Sequence, residues 1–188
     1  MATLIVETVV TTTNPDGSVN CGAMGVQWGE ASIVIKPYRG TRTLRNLRAT
    51  GAAVVNLTDD ILLFTQAALG DPHPPTRPAA VVDGAVLEDA CSWREVRVEH
   101  LDFDGPRAHV ATRVVGAGTG REFLGFNRAR HAVLEASILA SRTRLLPADQ
   151  IRDELRRLQV VVDKTAGPRE RTAMELVTRH VGAVIGDA

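Results

Sequence analysis

The strongest constraint on the fold is a change of hydrophobic period near Gly125. Up to Gly120 the apolar residues come in short runs separated by turn residues, and after Gly125 they recur at steps of three and four. Short Val-, Ile- and Thr-rich runs between turn signals read as strands, whereas the second spacing gives one apolar face on a helix. About eight strands are expected, over Thr3–Thr13, Val19–Trp28, Ser32–Ile35, Ala52–Leu57, Ala79–Val82, Ala85–Leu87, Trp93–Phe103 and Arg107–Val115. Two helices interrupt them. The expected class is α+β: a small antiparallel barrel or sandwich over residues 1–125, followed by a three-helix region over residues 126–188.

The punctuation agrees with that division. Asn14-Pro15-Asp16-Gly17 supplies turn chemistry between the first two strands, and Asp104-Gly105-Pro106 does the same for the last two. Gly40-Thr41 opens a helix that runs to about Thr50, with Gly51 placed to end it in the left-handed region. Thr58 is the expected cap of a second helix, Asp59–Leu69. Gly70–Pro78 contains Pro72, Pro74, Pro75 and Pro78 and is expected to be irregular. Gly116–Gly120 reads as a flexible glycine loop that lacks the rest of a dinucleotide fingerprint, and Asp102 with Asp104 as solvated acids beside a turn. The later helices are expected over Asn127–Leu145, from Pro147 to about Val162, and after Gly167-Pro168.

Composition excludes several classes of function. The 188 residues carry 22 basic and 22 acidic side chains and few aromatics, which argues against nucleic acid as a partner. Cys21 and Cys91 form no paired motif and the five histidines are scattered, so no metal site is expected. The N-terminus has no basic signal region, and no apolar run reaches the roughly 20 residues of a membrane span. A cytoplasmic protein with reduced thiols and no membrane partner is the expectation. GxSxG, HExxH and P-loop motifs do not occur.

One local signal stands out against this neutral background. Between Ala31 and Thr58 there are five basic side chains, Lys36, Arg39, Arg42, Arg45 and Arg48, and no acid. Thr41, Arg42 and Thr43 lie at a helix start, where free N–H groups and the dipole favour an anion. Lys36 ends the preceding strand. Arg45 and Arg48, further along, read as a solvated face. Upstream, Cys21–Val26 places small residues mid-strand, which marks either a bulge or close approach by a ligand or another backbone. Arg128, Arg130 and His131 put positive charge at the start of a later helix, where an anionic ligand or partner would offset the unfavourable dipole.

These segments together resemble the FMN-binding split-barrel superfamily, the flavin reductase-like proteins. The carrying residues are NCGAMGV (Asn20–Val26), IVIKPYRGTRT, LRNLRATG and AAVVN, in the family's order over roughly residues 5–125. NRARHAVLEASILASR and KTAGPRERTAMELV are similar to a group of uncharacterised archaeal and bacterial proteins that add a C-terminal helical region. The resemblance implies a homodimer with FMN near the subunit interface. Ala23, Met24, Gly25 and Val26 would line the flavin ring and ribityl chain through backbone contacts. Lys36, Thr41, Arg42 and Thr43 would hold the phosphate with Asn56 close by, and Arg128 and His131 would approach from the helical part.

The implied activity is an oxidoreductase passing hydride or electrons through FMN to a small-molecule substrate or from an electron donor. Two alternatives stay open at this level: a flavin carrier without turnover, and a binding protein for another phosphorylated ligand. No residue pattern names the substrate, the donor or a catalytic residue.

Overall fold

The computed structural model describes residues 4–103 and 105–186. Its first strands, β1 (Ile5–Thr13) and β2 (Val19–Gln27), form the expected hairpin. Gly17 takes φ +82°, and the Asn14 N–H donates to the Ser18 carbonyl at 2.8 Å. There follow β3 (Ser32–Ile35), α1 (Arg42–Thr50), β4 (Ala52–Leu57), α2 (Ile61–Leu69), β5 (Thr76–Pro78), β6 (Ala85–Leu87), β7 (Ser92–Asp102) and β8 (His109–Thr119). The chain ends in α3 (Arg128–Ala140), α4 (Ala148–Thr165) and α5 (Pro168–Ile185).

Six strands close an antiparallel barrel in the order β1-β2-β3-β8-β7-β4, while β5 and β6 form a separate two-stranded ribbon. Alternation sorts the apolar residues of β4 onto two faces. Ala53 and Val55 join Val10, Val26, Ile33, Ile35, Val96 and Val110 in the barrel core, where Leu44 and Leu47 of α1 also pack. Ala52 and Val54 pack on the other face with Val82 and Val86. With both faces covered, β4 is buried along Ala52–Asn56, which explains why AAVVN carries no polar alternation.

The chain divides into two compact units. One contains the chain up to Thr58 and from Asp71 to Phe123; the other contains Asp59–Gly70 and the chain from Leu124 onward. The helix α2 therefore interrupts the barrel in sequence but belongs in space with α3, α4 and α5. At the centre of the helical unit α3 turns Ala129, Ala132, Val133, Ala136 and Ala140 inward, small residues that let neighbouring helices come close. No helix among the described residues is long and apolar enough to cross a membrane.

Five local expectations are corrected. Ala79–Val82 is not a strand but part of the connection between β5 and β6. Asp60, not Thr58, caps α2: its Oδ1 accepts from Leu62 N at 3.1 Å and Leu63 N at 3.2 Å. The proline-rich segment ends in strand β5, because Pro78 sits at the end of a two-stranded ribbon where a missing N–H is tolerated. Gly116–Gly120 is not a loop: β8 continues through Thr119, with Gly116 opposite Glu95 and Gly118 opposite Trp93. A Cβ on Gly118 would lie 2.1 Å from the Trp93 ring, so glycine is what lets that indole lie across the strand. The helix expected to reach Leu145 stops at Ala140, and Leu145 is exposed. Asp104, proposed above as one of two acids, lies outside the described residues.

Candidate functional site

The open feature of the barrel is one edge of β2. This strand pairs with β1 from Val19 to Gln27, yet it meets β3 only where Gln27 faces Val34. Over Val19–Val26 the backbone groups directed away from β1 have no strand partner among the described residues. Unpaired strand edges are ready to accept hydrogen bonds from another molecule. Ala23, Met24 and Gly25 are half-buried here, while the Val26 side chain belongs to the barrel core.

The first turn of α1 lies against the start of this edge. Asn20 Nδ2 donates to Thr43 Oγ1 at 3.1 Å, and a Cβ on Gly22 would lie 2.9 Å from the same oxygen. Gly22 thus answers to close packing of the helix on the strand. At Gly25 an added Cβ would come within 2.8 Å of the Glu7 carboxylate, a flexible end, and of the Ile5 γ-methyl, which its branched Cβ holds in place.

The Thr41 hydroxyl is already used and that of Thr43 is turned inward. Thr41 is the N-cap of α1; its Oγ1 donates to the Tyr38 carbonyl at 2.9 Å and accepts from Leu44 N. Thr43 is buried, bonded to Asn20, which with Asn46 also reaches Thr12. The N–H groups of Arg42 and Thr43 donate to no described residue, as expected of a first helical turn, and α1 has no acid in that turn. What this helix start offers an anion is therefore backbone N–H plus the half-exposed Arg42 guanidinium.

Of the five basic side chains that marked this stretch, three are engaged. Arg39 and Arg48 each lie 5.6 Å from the Phe103 ring centre, and Arg42 is paired with Asp71. The side chains of Lys36 and Arg45 make no ion pair or hydrogen bond with described residues. Asn56 is fully buried: its Nδ2 donates to Val9 O and Thr11 Oγ1 at 3.1 Å each, and its Oδ1 accepts from Leu87 N at 3.0 Å. That amide ties β1, β4 and β6 together.

Asp71 is the residue that sequence reading missed. It lies 29 positions from Arg42, at the start of the proline-rich segment Gly70–Pro78, and nothing local points to the pairing. Its charge also reaches Cys21, whose thiol is pushed up to about 11 by burial and then by Asp71. Asp71 thus pairs with Arg42 of α1 and lies near enough to Cys21 of β2 for its charge to act on the thiol.

In the helical unit Arg128 is exposed at the first position of α3 and makes no hydrogen bond or ion pair with described residues. His131 Nδ1 lies 2.8 Å from the Asn127 carbonyl. The engaged cation is Arg130, bonded to Asp59 at 2.6 Å and to Glu170 at 3.0 Å. Burial alone would raise the Glu170 carboxyl; Arg130 and the Gly167 N–H hold it below its ordinary value.

Comparison with known proteins agrees with this architecture. A family described as "Protein of unknown function (DUF447) N-terminal domain" matches residues 6–121, and its companion, "Protein of unknown function (DUF447)", matches residues 127–179. An FMN-bound protein from Methanosarcina mazei, assigned to the same family, is similar at 21% identity and TM-score 0.83 over 95% of this chain and 96% of that one. Nitrilotriacetate monooxygenase component B from Bacillus cereus is similar at 16% identity and TM-score 0.55, over 70% and 78% of the two chains. An FMN-binding protein from Thermus thermophilus is similar at 15% identity and TM-score 0.51, over 61% and 70%. At these identities the likeness establishes the fold alone, an antiparallel split barrel followed by helices.

Proposed function

The chain belongs to the DUF447 family, and from that premise we propose that it is an FMN-binding flavoprotein that passes hydride or electrons to a small-molecule substrate. The observation that carries this reading is the unpaired edge of β2 beside the first turn of α1. A flavin needs two kinds of contact, hydrogen bonds along the edge of its heterocycle and cationic or N–H donors for its phosphate. In this reading both come from neighbouring segments, the β2 edge and the α1 start. Support also comes from the similar Methanosarcina mazei structure, which holds FMN.

In this reading the backbone of Ala23–Val26 meets the ring system and orients it. The N–H groups of Arg42 and Thr43, the Arg42 guanidinium and Lys36 hold the phosphate. Thr41, the Thr43 side chain and Asn56 act one step back, by fixing the helix start and the strands that present those donors. Bound FMN would supply two-electron or one-electron redox chemistry, and the protein supplies position and electrostatics. The reading includes a homodimer in the cytoplasm; exposed apolar side chains such as Ile5 and Phe126 support an assembled state.

The test is direct. The purified full chain is denatured and any released ligand identified by mass spectrometry and absorption. FMN, or tight uptake of added FMN by flavin-free protein, is expected. Protein that carries another phosphorylated ligand and refuses FMN overturns the proposal. Reoxidation of the reduced holoprotein by candidate acceptors then separates an enzyme from a carrier.

A further inference from the structure

The Arg42–Asp71 pair joins the residue expected to meet a phosphate to the carboxylate of a different segment. Both side chains stay in partial contact with water, at 47% and 31% exposure, so neither is locked in the core. The first turn of α1 contains no acid, and Asp71 is the carboxylate paired with the cation there. A carboxylate and a phosphate monoester make the same demand on a guanidinium: two anionic oxygens in the plane of its N–H fork. Asp71 meets Arg42 through Nη1, so a phosphate taking the same end of the guanidinium would compete with that carboxylate and lie beside its charge.

From this geometry we propose that Asp71 is a built-in competitor for the phosphate seat, holding Arg42 in the flavin-free protein and setting how strongly the site favours a phosphorylated flavin over an unphosphorylated one. The inference rests on the flavin reading above and deepens it. Three observations place Asp71 at that seat. Arg42 is its ion-pair partner. The adjoining residues of β2 and α1, Asn20 and Gly22 against Thr43, are in contact. Cys21, between Asn20 and Gly22, feels the Asp71 charge.

The consequence is a trade. Asp71 keeps the guanidinium in place and partly neutralised while the seat is empty, which offsets the poor match between Arg42 and the helix dipole. When a phosphate arrives, Asp71 must release Arg42, or remain beside a dianion of its own sign. Either way the affinity for a phosphorylated ligand is lowered by the share of molecules in which Arg42 is engaged. Riboflavin makes no demand on Arg42, so its binding is blind to Asp71.

The experiment compares wild type with Asp71→Asn, using flavin-free full-length protein titrated with FMN and with riboflavin and read by quenching of flavin fluorescence. Asp71→Asn is expected to tighten FMN roughly two- to fivefold, the span of a partly exposed ion pair, and to leave riboflavin unchanged. Asp71→Ser is the second variant if the first does not fold, and should move both numbers in the same sense. Equal FMN affinity in wild type and variant, or weaker FMN binding in the variant, overturns the proposal. Equal tightening of FMN and riboflavin also overturns it, because the effect would not act through the phosphate.

A separate arm uses inorganic phosphate alone and follows the melting temperature. The variant should be stabilised at lower phosphate concentration than wild type. If no flavin binds to either protein, the flavin reading fails while this arm still decides the role of Asp71. A phosphate response identical in the two proteins then overturns it.

Discussion

Arg42 and Arg45 lie one turn apart on α1 and differ in every physical respect that matters to a bound anion. Both are exposed, but Arg42 stands at the first helical position with an acidic partner, whereas Arg45 makes no ion pair or hydrogen bond with described residues. Arg42→Ala is expected to weaken FMN binding by roughly 1.5 kcal/mol, the low end for a charge-assisted bond because the guanidinium is half exposed. Arg45→Ala should leave the dissociation constant within error, and a titration with the order reversed would mean that the phosphate sits further along the helix. Gly118 makes a different residue-scale test. An alanine Cβ there would meet the Trp93 indole at 2.1 Å, while the Arg77 guanidinium lies on that ring 4.4 Å from its centre and limits its escape. Gly118→Ala should cost about 1–3 kcal/mol in urea unfolding.

At the scale of elements, three buried carboxylates hold segments together. Glu95 of β7 accepts from the N–H groups of Ala80, Val81 and Val82 at 3.0, 2.6 and 3.0 Å, fixing the connection between β5 and β6 on the barrel. Three helix starts meet in the other unit, where Arg130 of α3 bridges Asp59 ahead of α2 and Glu170 in the first turn of α5. The carboxylates of Asp59 and Glu170 are only 4% and 9% exposed. Arg130→Met would strand those charges away from water and should destabilise the helical unit by about 3–5 kcal/mol, as measured by loss of helical circular dichroism in urea. The contrast with Arg128, two residues earlier and without an ion pair or hydrogen bond to described residues, shows why a basic run cannot be sorted by composition.

Over the whole molecule these carboxylates set the acid limit. Burial would raise Glu95, but the loop N–H groups and the Trp93 indole hold it below its ordinary 4.5; Glu170 is lowered likewise by Arg130. A lowered folded-state value adds stability that is complete above the unfolded value and is lost as pH falls through the folded one. Urea midpoints should therefore hold steady from pH 7 to about 5 and fall below the ordinary value of 4.5. In Glu95→Gln the fall should be shallower, and an equally steep fall would show that Glu95 is not its source. Ligand binding acts globally too. At a hundredfold excess over its dissociation constant, FMN should add about 2.7 kcal/mol to the stability of the native state, seen as a higher melting temperature.

The residues alone determined the class of fold, the order of nearly all its elements and the location of an anion-favouring helix start. Those features come from local chemistry: alternation, helical spacing, turn glycines and capping are written within a few residues of where they act. The tertiary structure decided whatever depends on neighbours distant in sequence. It placed α2 with the C-terminal helices, made a strand of the glycines opposite Trp93 and Glu95, and turned the Thr43 hydroxyl inward to Asn20. It also divided the basic stretch into stacked, paired and unpartnered side chains, and brought Asp71 to Arg42 from 29 residues away. A charge pair of that separation leaves no periodic trace in a sequence, because only the closure of the chain brings its two halves within reach.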